Sequence, residues 1–169
     1  MDSSALRHSF QSQSKPPASV ALDALGIEHR VFIHEGPVSS FEQAARERGQ
    51  RPAQVVRSIL FQIRAGEFLM VLIAGPAQID WKKLRTLVKR SRVRMASEDE
   101  VFDVTGYKIG TVSPFGVKSQ IKVMIDASIL NEEEVSIGSG VRGVAIIMKS
   151  ADVRKALGDV EIVNLAEGL

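Results

Sequence analysis

Two apolar runs joined by a tight turn constrain this chain more than any other feature. Val55-Val56-Arg57-Ser58-Ile59-Leu60-Phe61-Gln62-Ile63 is followed, after Ala65-Gly66-Glu67, by Phe68-Leu69-Met70-Val71-Leu72-Ile73-Ala74. Two long strands with so short a connection pair antiparallel. The second run is apolar on both strand faces, so it needs cover on both sides, as a central strand has. Gly75-Pro76 ends the pairing.

The first run carries one cation. Alternate strand residues share a face, so Arg57 points the same way as Val55, Ile59, Phe61 and Ile63. Burying an unpaired guanidinium is expensive. Two readings follow: an Arg near the strand end that reaches solvent or a salt bridge, or a cation at the floor of a pocket for an anionic ligand.

Around the hairpin the other elements follow from local signals. Val20–Gly26 predicts a short helix stopped by glycine, and Ile27–Ile33 a first strand. Ser39-Ser40-Phe41-Glu42 has capping-box spacing, with Ser39 as the expected cap of a helix that ends near Gly49. Asp80 caps a helix to about Lys89, and Ser97-Glu98-Asp99-Glu100 opens another with acidic residues at its positive end. Ile121–Asp126 reads as a strand, with Ile121, Val123 and Ile125 alternating against Lys122, Met124 and Asp126. Asn131–Glu134 reads as a turn, Val144–Met148 as a buried strand, Ser150 or Ala151 to Gly158 as a last helix, and Val160–Leu165 as a closing strand. Hairpins interspersed with helices point to an α+β single domain, a mixed, largely antiparallel sheet with flanking helices, over 20–169. Residues 1–19, rich in Ser and Gln, are expected to be a mobile extension without the apolar core of a secretory signal.

Bulk composition excludes several classes. There is no cysteine in the 169 residues, which removes disulfides, thiolate metal sites and a cysteine nucleophile, and suits a reducing cytoplasm. No apolar run is long enough to span a bilayer, so no membrane partner is expected. Net charge is +2, so any polyanion signal must be local. One such cluster exists: Lys82, Lys83, Arg85, Lys89, Arg90, Arg92 and Arg94, with no acidic residue from Trp81 to Met95. Either it is a solvated helix face or a phosphate-backbone contact zone.

Two glycine-bearing stretches remain, Thr105–Gly116 and Gly138-Ser139-Gly140-Val141-Arg142-Gly143. Both are constrained loops where backbone can approach a ligand closely. Neither is a P-loop, a nucleophile elbow or a dinucleotide fingerprint. His8, His29 and His34 are too scattered for a metal site, and His34, beside a loop, is the one of interest. No metal or other cofactor is expected. An enzyme built from these parts would position a substrate that carries its own reactive group.

The order of these segments resembles the YbaK/prolyl-tRNA-synthetase-associated domain family from about Ala21 to Leu165. The carriers are Ser39–Ala45, Gln54–Phe61, Gly106–Gly116 with its Gly-x-x-Ser-Pro-Phe-Gly loop, Asp126 with Ile129-Leu130, and Gly138–Gly143. The resemblance implies a cytoplasmic aminoacyl-tRNA deacylase, acting in trans by a substrate-assisted, metal-free route. A small amino acid on proline tRNA would be the substrate and a synthetase a further partner. It implies catalytic roles for Arg57, Gly110 and Ser139. Ser58, Thr111, Ser113, Pro114, Phe115, Gly116, Gly138 and Gly140 would bind substrate, and Lys82, Lys83, Arg85, Lys89 and Arg90 the tRNA. This chain departs from the family at Arg57, where lysine is common, and at Thr111, where a second glycine is. It also lacks the His-Pro stretch of the alanine-specific branch, which favours the YbaK-like branch. The alternative is a non-catalytic relative that binds tRNA or another partner through the same pocket. A soluble α+β domain without a nucleic-acid partner is the third reading.

Overall fold

The computed structural model describes residues 15–168. The expected N-terminal extension, His8 included, lies outside the described residues up to Ser14. Its last residues belong to a helix, α1 (Pro17–Ala24), which opens on Pro17, where a missing N–H costs nothing. Ala18 and Leu22 are fully buried, and the Ala18 N–H donates to Ser139 O at 3.1 Å. The first helix therefore packs onto the second glycine loop.

The remaining order is β1 (Arg30–Ile33), α2 (Phe41–Glu47), β2 (Val56–Arg64), β3 (Glu67–Ala74), α3 (Trp81–Val88), β4 (Arg94–Met95), α4 (Glu98–Thr105), β5 (Lys122–Asp126), β6 (Glu134–Gly138), β7 (Val144–Lys149), α5 (Ser150–Leu157) and β8 (Glu161–Val163). The fold is α+β and the pairing largely antiparallel, but the strands divide between two sheets. One is β1-β7-β6, wholly antiparallel; the other is β4-β2-β3-β5-β8, with β3–β5 and β5–β8 parallel. A single parallel bridge, Val55 to Ser136, links them where β2 begins.

Strand β3 is the covered central strand that its two apolar faces require, and Leu69 to Ile73 are all 0% exposed. Its alternation feeds two cores. Met70 and Leu72 pack with Leu60, Ile125, Ile137 and Ile146, whereas Leu69, Val71 and Ile73 pack with Phe61, Leu84 and Met124. Helix α3 roofs the second core. Asp80 accepts from the Lys83 N–H at 3.1 Å, and the Trp81 ring meets Phe61 edge-on, centroids 5.4 Å apart.

Three local expectations shift. The cap of α2 is Ser40, which accepts from the Gln43 N–H at 3.0 Å; Ser39 instead donates its N–H and hydroxyl to the Gln43 side chain. The box slides by one residue because the Gln43 amide takes the role expected of Glu42. A 3-10 turn, Ala127–Asn131, precedes β6, so that Glu134 is already strand. The alternation in β5 does not mark a solvent face, because Met124 and Asp126 are also buried, Met124 in the cluster with Leu84 of α3 and Leu165, and Asp126 under the segment after β8. Asp126 accepts from Leu165 N–H (2.7 Å), Ala166 N–H (3.2 Å) and Ser128 N–H (3.0 Å), three donors that make burial of a carboxylate tolerable.

Helix α4 has the expected capping box, Ser97 with Glu100. Glu100 also holds Arg94 through two bonds of 2.6 and 2.9 Å, and that contact is the main reason its pKa falls from 4.5 to about 2. A depressed carboxylate pKa contributes stability that is present above the unfolded value and is lost as pH falls through the folded one. Glu100→Gln should therefore be less stable than the parent at pH 6, with the difference vanishing between pH 4.5 and about 2 in acid-unfolding titrations.

Candidate active site

Strand β2 is flanked on its outer side only at its ends. The β4 pairing reaches Phe61 and Gln62, the Ala96 N–H donates to Leu60 O at 2.9 Å, and Val55 is bridged to Ser136. Between these contacts, Arg57 to Ile59 have no strand partner on the outer edge among the described residues. Peptide groups of an antiparallel strand alternate sides, so Ser58, two residues from Leu60, turns its N–H and C=O into this gap. The Ser58 hydroxyl is shielded from solvent and lacks a hydrogen-bond partner among the described residues.

The gap opens into a cavity of about 580 Å³. Its walls are the start of β2 with Arg57 and Ser58, Phe41 and Ala44 of α2, Ile109-Gly110 of the first glycine loop, and Ile137-Gly138 with Val141–Ala145 of the second. The cation-bearing strand and the two distant loops thus share one cavity. Its lining includes Arg48, Arg57, Arg142 and His34 but no carboxylate among the described residues.

Several candidate residues lie behind that wall. Thr111 is buried and its hydroxyl donates to Lys108 O at 2.7 Å, so the side chain is spent in its own turn. Ser113 accepts from the Phe115 N–H at 3.2 Å, and Phe115 is core. Pro114 faces a separate groove beside β5 and the start of β8. Ser139 is fully buried; its hydroxyl donates to Val144 O at 2.7 Å and accepts from the Val141 N–H at 3.1 Å.

The glycines have a packing role that the sequence does not reveal. A Cβ on Gly138 would sit 2.0 Å from Val112 O, and the Gly140 N–H donates to Thr111 O at 2.9 Å. A Cβ on Gly116 or Gly140 would come within 2.6 Å of Tyr107, whose hydroxyl donates to Phe115 O. The two loops approach each other around Tyr107, and the cavity takes its shape from that contact. Gly110, at φ 89°, has open space around it and lines the cavity directly.

Arg57 has no carboxylate partner among the described residues. Its Nε–H donates to Gly75 O at 3.0 Å and Nη2 to Ala77 O, at the turn after β3, and burial lowers its pKa. Its side chain lines the cavity with the guanidinium held toward the β3 flank. Lys82, Lys83, Arg85, Lys89 and Arg90 are exposed on and just beyond α3. The run is not wholly free of counter-charge, because Arg94 is paired with Glu100 from the next helix.

Arg48 was not apparent from sequence. It follows Phe41 and Ala44 at helical spacing, i, i+3 and i+7, which is the one local sign that it shares their face. Its Nε–H donates to His34 Nε2 at 3.1 Å and Nη1 to Ser136 Oγ at 3.0 Å. Arginine can only donate, so His34 Nε2 is the bare nitrogen and the Nδ1–H faces Glu47, 3.2 Å away. That contact with His34 is the largest cause of the lowered Glu47 pKa.

An α+β domain whose unpaired strand edge opens into a cationic, carboxylate-free cavity defines a binding or hydrolytic site for a substrate with acceptor oxygens. Residues 35–156 match the model of the aminoacyl-tRNA editing domain, and the chain belongs to that family. Among relatives, it is 33% identical over 119 residues to the uncharacterized protein YwhH of Bacillus subtilis (strain 168), covering 70% of this chain and 75% of that one. It is 24% identical over 143 residues to the multifunctional Ser/Thr-tRNA deacylase ProXp-y of Escherichia coli (strain K12), covering 82% and 84%. A crystal structure of a putative trans-editing enzyme for prolyl tRNA synthetase superposes with a TM-score of 0.83 at 26% identity, over 92% of this chain and all of that one.

Proposed function

We propose that this protein is an aminoacyl-tRNA deacylase, acting in trans on an amino acid wrongly esterified to the terminal ribose of a tRNA. The observation that carries the reading is the single cavity into which Arg57, the Ser58 edge of β2, Gly110 and Gly138 all open, in a chain of the editing family. Water adds to the ester carbonyl carbon and the carbon–oxygen bond to the ribose breaks. The ribose oxygen takes up the proton, leaving a free amino acid and an uncharged tRNA. The vicinal ribose hydroxyl helps to hold the water. The Ser58 N–H, directed into the gap, and main-chain groups of Gly110 are the donors for the oxyanion, and one aligned donor of this kind contributes ~3–4 kcal/mol to lowering the barrier. Arg57 supplies the positive charge for the phosphate of the terminal nucleotide. The exposed cations of α3 attract the acceptor stem.

A steady-state panel of charged tRNAs tests this. The protein is expected to accelerate ester hydrolysis of at least one small aminoacyl group well above the buffer rate, with chelator leaving the rate unchanged. Salt-sensitive tRNA binding with no acceleration on any member would instead identify a non-catalytic binding protein.

A further inference from the structure

The Arg48 cluster is built like a recognition device and has no part in the chemistry just described. His34, its side chain 1% exposed, is fixed between the Phe32 ring and the Glu47 carboxylate, and it orients Arg48 from one side. Ser136, fully buried on β6, holds Arg48 from another. Both acceptors are neutral. The Glu47 carboxylate lies across the imidazole. Two of the five guanidinium N–H groups are engaged, and the rest have no acceptor among the described residues. Those N–H groups are not sealed off but open to the cavity that Arg48 lines, where an acceptor from a ligand can take them.

That acceptor is not the group that Arg57 meets. Arg57 is fastened at the turn after β3, on one flank of β2, and Arg48 at β6, on the other. Two strand spacings, roughly 10 Å, separate these anchor points. No single phosphate spans both. On Arg48's side the wall is the apolar strip of Phe41 and Ala44, a lining for a short acyl side chain with a hydrogen-bond donor at its end.

Resting on the deacylase reading, we infer that Arg48 is a specificity-determining residue, positioned by His34, Glu47 and Ser136. It donates to an oxygen on the side chain of the acyl group. The favoured substrates are therefore esters of short amino acids with a side-chain hydroxyl or carboxylate. Their isosteres without the oxygen would displace water from the guanidinium and leave those N–H groups unpaired. A site built around such a hydrogen bond discriminates strongly against the analogue that lacks it.

The test uses one tRNA charged in turn with serine, alanine, threonine and valine, so that the members of each pair differ by one oxygen or are near-isosteric. For the parent protein, kcat/KM is expected to favour seryl over alanyl and threonyl over valyl esters by 10-fold or more. Arg48→Leu should bring both ratios to within about threefold of one, and Arg48→Lys should restore part of the preference. Equal parent rates within each pair, or a preference that survives Arg48→Leu, would overturn the inference. A loss common to all four esters, accompanied by weaker binding of uncharged tRNA, would also overturn it and place Arg48 on phosphate. If no ester is cleaved, the deacylase reading fails and the acyl preference is read by calorimetry. Non-hydrolysable 3′-serylamino and 3′-alanylamino adenosine are the probes. Tighter seryl binding, about 10-fold and abolished by Arg48→Leu, sustains it; equal affinities do not.

Discussion

Gly138→Ala is expected to unfold at a temperature lower by roughly 6–12 °C, from a loss of about 3 kcal/mol and the usual scaling for a domain of this size. The cause is steric and local. The new Cβ would lie 2.0 Å from Val112 O and 2.8 Å from Val112 C, both backbone atoms, so relief requires the first glycine loop to move. That loop is tied down elsewhere by Gly140 N–H to Thr111 O and by Tyr107 to Phe115 O, which limits how it can yield. Displacement of Val112 carries Gly110 with it, so deacylation should fall even below the unfolding temperature. Gly36→Ala is the control: Gly36 also lines the cavity, its Cβ would meet nothing within 4 Å, and its φ is unexceptional. Its stability should change by no more than ~0.5 kcal/mol. Thermal unfolding of the two variants beside the parent decides the matter. Equal melting temperatures for Gly138→Ala and the parent would mean that the loops are not in contact as described.

The same pair of loops shows where sequence is informative and where it stops. The β2–β3 hairpin is legible because periodicity and turn chemistry are both local, and the Asp80 and Ser97 caps are legible for the same reason. The glycines announce constrained loops, but not what they are constrained against. Gly138 makes room for Val112, twenty-six positions earlier in the chain, and no local rule encodes that approach. Ser139 shows the converse. A serine between two glycines looks available for chemistry, yet its hydroxyl is consumed by Val144 and Val141 of its own turn. Arg48 is the costliest omission: its neighbours His34 and Ser136 lie 14 and 88 positions away, so its place in the cavity exists only once β6 has been laid beside β2. The division into two sheets was hidden likewise, because strand patterns specify faces and not partners.

Arg57 carries the other large effect, on turnover. Arg57→Ala is expected to lower kcat/KM about 100-fold, the rate equivalent of one charge-assisted contact of ~1.5–3 kcal/mol. It also releases the Gly75 and Ala77 carbonyls, so Arg57→Met, which keeps the apolar stem, separates lost charge from lost packing. If charge is what matters, the Met and Ala variants fall together in rate but not in stability. Arg57→Lys is the informative substitution. A lysine lacks the planar fork that meets both carbonyls at once, and its slimmer ammonium is freer to turn into the cavity while keeping the charge. Turnover at or above the parent's is therefore expected. An inert parent that gains activity with Arg57→Lys would show the site complete but switched off by the guanidinium. A parent whose rate is indifferent to all three substitutions would remove Arg57 from the reaction and leave the open edge of β2 as the active element.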